Sequence, residues 1–224
     1  MQPTPFIKKY LPKDKSDIIG QDKAVSDILN YISTYNSQKK KAALLFGPTG
    51  TGKTSSAHTL ASKLNLEVVE INASDYRKPD QIELKVGNAL KQHSLFSQGK
   101  IILVDDIDGL SGTKDRGGIK AITSLFEKSQ FPIILTALSI YEKKLKSLVK
   151  KCKTIEFNQL DYNSIYSILK NICDKEKIKY TEDSLKSLSY ISSGDARSAI
   201  NDLESLGKEI TSKKSGTREI RLSL

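Results

Sequence analysis

Gly47-Pro48-Thr49-Gly50-Thr51-Gly52-Lys53-Thr54 follows an apolar run, Ala42–Phe46, and opens a helical pattern over Lys53–Leu64. The spacing G-x-x-x-x-G-K-[ST] in that setting reads as a phosphate-binding loop. Glycines let consecutive backbone N–H groups turn inward onto phosphate oxygens, and the amino end of the following helix adds its positive dipole. Lys53 is then the point charge that reaches the β- and γ-phosphates, and the Thr54 hydroxyl is a ligand for Mg²⁺. The chemistry is nucleotide binding, with the loop from Gly47 to Thr54 as its seat.

A second reactive element is Ile101-Ile102-Leu103-Val104-Asp105-Asp106-Ile107-Asp108. Four apolar residues put Asp105 at the carboxyl end of a buried strand, where open α/β sheets bind ligands. There it could hold Mg²⁺ through water. Asp106 stands next to it, where a base could orient an attacking water.

Positioning these residues requires a sheet. Short apolar runs recur at Ala42–Phe46, Val68–Ile71, Ile101–Val104, Ile133–Leu135 and Thr154–Phe157. Helical patterns lie between them, at Lys53–Leu64, about Pro79–Leu95, Gly118–Lys128 and Glu142–Lys150, and Gln21–Tyr35 precedes them all. β-Branched runs separated by helices predict an α/β fold with a parallel five-stranded sheet. Runs that are apolar throughout, instead of alternating, fit strands covered on both faces.

After about Asn158 no further strand is expected. Three helices follow, Asp161–Glu176, Thr181–Ile191 and Asp195–Leu206, with Asp161 and Thr181 as N-caps and Gly194 at a junction. The expected organisation is an extended lead-in over residues 1–19, which holds three of the six prolines, a core over 20–158, a small all-helical domain over 159–207, and a polar tail over 208–224. The tail stops abruptly at Leu224, as a linker cut short of a further domain would.

The 36 Lys+Arg outweigh 26 Asp+Glu to leave a net charge of +10, with no block of five like charges. The excess therefore belongs to a folded surface and raises the odds of a polyanionic partner. Cys152 and Cys173 fit neither a disulfide framework nor a metal-ligand spacing, and His58 and His93 are too far apart in sequence to complete one. No apolar stretch approaches the roughly 20 residues of a membrane helix, and Lys8-Lys9 has no apolar run after it, so no signal peptide is read. The expected location is intracellular and reducing: cytoplasmic, or nuclear in a eukaryote.

The phosphate loop, the apolar-Asp strand and a helical lid whose last helix opens with Gly194-Asp195-Ala196-Arg197 together resemble the AAA+ ATPases. That resemblance implies a P-loop core followed by a lid, ATP and Mg²⁺ as ligands, and Arg197 as the lid arginine (sensor 2) that touches the γ-phosphate. Finer motifs are similar to those of the clamp loaders, specifically the archaeal type of replication factor C large subunit. Tyr10-x-Pro12-Lys13 with Asp17-Ile18-Ile19-Gly20-Gln21 resembles the family's adenine-wrapping lead-in, which implies nucleotide contacts from Tyr10, Pro12, Ile18 and Ile19. Ile71-Asn72-Ala73-Ser74-Asp75-x-Arg77 resembles its clamp-loader box, and Asp115-Arg116-Gly117-Gly118 is typical of large subunits. The resemblance runs from about Tyr10 to Leu206 and omits the helical collar that assembles the family's five-subunit ring.

Three positions depart from the pattern. Asp106 replaces the family's catalytic Glu and is one methylene shorter. Leu138 stands where the sensor 1 Asn would follow Thr136-Ala137. Lys150-Lys151-Cys152 replaces the small subunits' Ser-Arg-Cys, in agreement with a large subunit that receives an arginine finger instead of donating one. The first two put hydrolysis in question, because a reacting group misplaced by about 1 Å can cost a hundredfold in rate.

By the same resemblance, Arg77, Lys114, Arg116 and Lys120 line the inner face of a ring and track a DNA backbone. Each lysine alone reads more readily as solvated charge, whereas the two arginines, in a chain with 31 Lys and 5 Arg, carry the fork that suits phosphate. Leu95-Phe96 sits where large subunits grip the sliding clamp; the pair reads equally as packing beneath its own helix. The implied function is an ATP-binding subunit of a clamp loader, with small clamp-loader subunits, a sliding clamp and primer-template DNA as partners and no membrane. Its rivals are a non-hydrolysing structural subunit, another AAA+ DNA motor or initiator, and a small-molecule P-loop kinase.

Overall fold

A computed structural model describes residues 4–73, 99–109, 116–207 and 209–210. The chain divides into two compact units: a sheet unit of residues 13–47 and 53–157, and a helical unit that joins residues up to Pro12, Pro48–Gly52 and the chain from Asn158 onward. The described strands are β1 (Ala42–Phe46), β2 (Leu66–Asn72), β3 (Gly99–Asp105), β4 (Ile133–Ala137), β5 (Cys152–Glu156), β6 (Lys179–Tyr180) and β7 (Glu209–Ile210). The described α-helices are α1 (Phe6–Lys9), α2 (Asp22–Ser33), α3 (Lys53–Lys63), α4 (Arg116–Lys128), α5 (Lys146–Lys151), α6 (Tyr162–Glu176), α7 (Glu182–Ile191) and α8 (Ala196–Leu206). No helix among the described residues is long and apolar enough to cross a membrane.

In the sheet unit, β1 to β5 are all parallel and lie in the order β2-β3-β4-β1-β5. Side chains alternate across a strand, and both sides are buried. Ala43, Leu45, Ile101, Leu103 and Ile134 pack with α2 and α3, while Leu44, Ile102, Val104 and Leu135 pack with Ile122, Leu125 and Phe126 of α4 and Leu148 of α5. This double burial is why the runs of the central strands β3, β4 and β1 are apolar throughout, while the edge strands β2 and β5 carry exposed residues such as Glu70 and Glu156. The expected helix from Glu142 divides into a 3₁₀ turn, Lys143–Leu145, and α5. The pattern about Pro79–Leu95 lies outside the described residues.

Two alternations place the chemistry. Carried one residue beyond Val104, the β3 pattern turns Asp105 to the side of Leu103, which is the α3 side; carried beyond Leu135, the β4 pattern turns Thr136 the same way. β4 lies between β3 and β1, with Leu45 opposite Thr136 and Phe46 opposite Ala137. The carboxyl ends of β3, β4 and β1 are therefore neighbours.

The helical unit packs α6, α7 and α8 around Ile165, Leu169, Ile172, Leu185, Leu188 and Leu203. Asp161 caps α6 by accepting the Ser164 N–H at 2.7 Å, and Thr181 caps α7 by accepting the Ser184 N–H at 3.2 Å. Gly194 has φ +80°, and a Cβ there would stand 2.7 Å from the Leu160 carbonyl oxygen. Two sequence expectations are corrected. Strands do occur beyond Asn158: β6 and β7 form a parallel pair, too short for periodicity to reveal. The lead-in is not uniformly extended, because Phe6–Lys9 turns into α1 directly after Pro5; proline just ahead of a first turn costs no hydrogen bond.

Candidate functional site

In the sheet unit β1 ends just before Gly47, the first residue of the phosphate-loop motif. Its φ is +148°, and a Cβ there would fall 2.0 Å from the Phe157 carbonyl oxygen, so only glycine lets the chain turn out of the strand at this point. Lys53 begins α3 and is largely buried; its ammonium donates to the Gly47 carbonyl oxygen at 2.8 Å.

Thr54, the next residue of α3, donates its hydroxyl proton to Asp105 Oδ1 at 2.8 Å. The same oxygen accepts the Thr136 hydroxyl. Thr136 Oγ1 in turn accepts the Asp106 backbone N–H at 3.0 Å. Asp106 is exposed and has φ +53°, in the left-handed region that Asp and Asn enter more readily than other non-glycine residues. Leu138 is half-exposed, and its N–H donates to an Asp108 carboxylate oxygen at 2.7 Å. It presents no polar side chain.

A hydroxyl and a carboxylate meeting within hydrogen-bond distance form a hard oxygen donor pair, which suits Mg²⁺. Among the described residues no cluster of three or more His, Cys, Asp or Glu could hold a metal. Mg²⁺ does not need one, since it characteristically takes one or two protein ligands and completes its shell with water and substrate phosphates.

In the helical unit, the Thr49 hydroxyl donates to Asp195 Oδ2 at 3.0 Å, and the Ala196 N–H donates to the Gly50 carbonyl oxygen at 3.2 Å. Asp195 Oδ1 accepts the Ser198 N–H at 2.9 Å and so caps α8, whose second residue is the exposed Arg197. Tyr10 donates to a Glu176 carboxylate oxygen that Lys9 also reaches, and the Tyr10 ring lies edge-on to Phe6. Burial first, and the Glu176 carboxylate second, push the Tyr10 hydroxyl up to about 12. Lys9 and Tyr10 together hold the Glu176 carboxyl below its ordinary value.

Of the sequence-predicted residues, Lys53, Thr54, Asp105 and Asp106 are gathered in the sheet unit. Ile18 packs into the core with α2 and α3, and Ile19 and Pro12 are half-buried. Lys120 is exposed on α4, and Arg116 is the first residue of that helix. Arg77, Lys114, Leu95 and Phe96 lie outside the described residues. Thr136 escaped sequence reasoning as a site residue; the alternation of β4 was the signal that could have found it. The Thr49–Asp195 bond joins positions 146 apart, and no local pattern announces it.

Comparison with known proteins places these features in a family. Residues 43–160 match the ATPase family associated with various cellular activities (AAA), and residues 167–207 match an RCF1/5-like AAA+ ATPase lid domain. The chain is 44% identical over 205 residues to the replication factor C large subunit of Nanoarchaeum equitans, covering 91% of this chain and 48% of that one. It is 42% identical to that of Staphylothermus marinus, covering 91% and 49%. The chain thus spans about half the length of these curated relatives. Two solved structures share the fold: the Thermotoga maritima RuvB Holliday junction branch migration motor (TM-score 0.68, 19% identity, 94% of this chain and 72% of that one) and the Aeropyrum pernix Orc1 protein in complex with DNA (TM-score 0.74, 17% identity, 97% and 68%). With its phosphate loop, five-stranded parallel sheet and lid, the chain belongs to the AAA family of ATPases.

Proposed function

We propose that these residues form the ATP-binding core and lid of a clamp-loader large subunit, which uses ATP to load a sliding clamp onto primed DNA. One observation carries the reading: Thr54 of the phosphate loop helix joins the strand-end Asp105 at 2.8 Å, in a chain 44% identical to an archaeal protein of that description. Lys53 meets the β- and γ-phosphates, and Thr54 with Asp105, the latter through water, holds Mg²⁺. Bound Mg²⁺ supplies charge neutralisation at the phosphates. Asp106 orients the attacking water and takes up its proton, and Arg197 contacts the γ-phosphate. Tyr10, Pro12, Ile18 and Ile19 are assigned to the adenine end on the resemblance of the lead-in.

Small clamp-loader subunits, the sliding clamp and primer-template DNA are the proposed partners. Arg77, Lys114, Arg116 and Lys120 would track the DNA backbone, which positions without reading sequence, and Leu95-Phe96 would anchor the clamp. A second reading, a subunit that binds ATP for assembly without turning it over, is favoured by Leu138, whose half-exposed side chain offers the γ-phosphate no polar group. An ATPase assay of the chain with and without small subunits, clamp and primed DNA, paired with nucleotide titration, separates the two. ATP binding without turnover in the full assembly selects the second reading; absence of ATP binding ends both.

A further inference from the structure

Thr136 is fully buried on β4, the strand between the one that feeds the phosphate loop and the one that carries the acidic residues. Its hydroxyl spends its proton on Asp105 Oδ1 and its lone pair on the Asp106 N–H at 3.0 Å. The direction of the first bond is fixed by the second, since an oxygen that accepts from an amide turns its own proton elsewhere. Both hydroxyl donors to Asp105, Thr54 and Thr136, converge on Oδ1, which turns the carboxylate and leaves Oδ2 with no hydrogen bond among the described residues. The Asp106 amide that Thr136 holds belongs to the residue at φ +53°, so the same hydroxyl pins the left-handed turn that aims Asp106.

We propose that Thr136 is a positioning residue for both acidic groups: it orients the Asp105 carboxylate toward Mg²⁺ and locks the backbone turn that presents Asp106. With no exposed surface it cannot touch nucleotide, and it acts only through its two neighbours. The position differs from Leu138, where the family resemblance looks for a polar residue, so this hydroxyl is not a displaced γ-phosphate contact. The Mg²⁺ half of the role rests on the ATP-binding reading; the Asp106 half does not.

Two substitutions in the full chain test it. Thr136→Val keeps the shape and removes the hydroxyl, and Thr136→Ser keeps the hydroxyl and removes a methyl. A fluorescent ATP analogue is titrated with Mg²⁺ and with EDTA, and backbone amide exchange is followed at Asp106 in the nucleotide-free chain. Thr136→Val should weaken apparent Mg²⁺ affinity about tenfold, the lower end of what loss of an outer-shell partner costs. Its nucleotide affinity in EDTA should stay within about twofold, because the loop from Gly47 to Thr54 is untouched. Exchange at the Asp106 amide should accelerate in the same variant, and Thr136→Ser should behave as wild type in both measurements. A folded Thr136→Val with unchanged Mg²⁺ response and a still-protected Asp106 amide overturns the proposal, as does a folded Thr136→Ser that has lost either property. Wild-type chain that binds no nucleotide would overturn the ATP reading, while the amide exchange would still decide the role at Asp106.

Discussion

Thr49, at the tip of the phosphate loop, donates its hydroxyl to the carboxylate of Asp195 at 3.0 Å, and that carboxylate's other oxygen caps the helix carrying Arg197. One side chain thus serves two tasks, and they can be separated. Thr49→Val removes the loop bond alone, whereas Asp195→Ala removes the loop bond and the cap. Losing a helix N-cap typically costs about 1 kcal/mol, so Asp195→Ala should destabilise the chain by about that much more than Thr49→Val in urea unfolding. Equal costs would show that the cap is idle.

Lys53→Ala should remove most ATP affinity and leave the fold intact. The ammonium's hydrogen bond to Gly47 sits at the start of α3, and the hydrophobic packing of that helix comes from Ala57, Leu60 and Ala61. Nucleotide titration with a circular dichroism control checks it; unchanged affinity in a folded variant would mean the loop does not bind phosphate through Lys53.

On the clamp-loader reading, Asp106→Glu with Leu138→Asn should raise ATP hydrolysis in an assembled ring, where that reading has a neighbour supply an arginine finger worth about a thousandfold or more. Asp106→Glu alone should recover less, for two reasons. Residues that act as a unit are not additive, and the left-handed φ of +53° at this position suits Asp better than Glu. The single variant should therefore also melt slightly lower than wild type. A wild-type ring already as fast as the doubly substituted one would remove the case for a weakened site.

Acid stability should depend on Asp161. Its carboxyl is held below the ordinary 3.8 chiefly by hydrogen bonds to Ser164 at the start of α6. A group with a lowered folded-state pKa contributes stability above its unfolded value, and that contribution disappears as pH falls through the folded value. Unfolding of the lid helices, followed between pH 5 and pH 2, should therefore steepen below about 3.8 in wild type. Asp161→Asn keeps a capping acceptor but cannot titrate, so its profile over that range should be flatter; superimposable profiles would remove the cap from the acid response.

If the proposed complex binds DNA along its backbone, that binding should be indifferent to sequence and weaken with salt, since phosphate contacts would dominate it. Replacing Arg77 and Arg116 together should flatten the logarithmic salt dependence by about one unit per lost contact. An unchanged slope would take both arginines off the DNA path.

What the amino-acid sequence determined by itself is the part of this protein written in contiguous residues. Five apolar runs became five parallel strands; in the central three, β3, β4 and β1, burial on both faces demands apolar side chains throughout the run, whereas the edge strands β2 and β5 keep exposed positions such as Glu70 and Thr154. The strand–turn–helix setting of the loop from Gly47 to Thr54 was legible because its glycines and lysine fall at fixed spacing between an apolar run and a helical pattern, and the strand-end place of Asp105 because the four residues before it are buried. Asp161 and Thr181 were legible as caps because a cap acts within one helical turn. Only tertiary structure decided the rest. That Thr136 joins Asp105 to Asp106 depends on β4 lying between β3 and β1, and strand order follows from how crossover helices pack, not from any strand's own sequence. That Thr49 meets Asp195 requires a loop and a helix end 146 positions apart to close on each other. The left-handed turn at Asp106 is held by a hydroxyl from another strand, and the pairing of β6 with β7, two residues each, exists only because the helical unit brings their backbones within hydrogen-bonding distance.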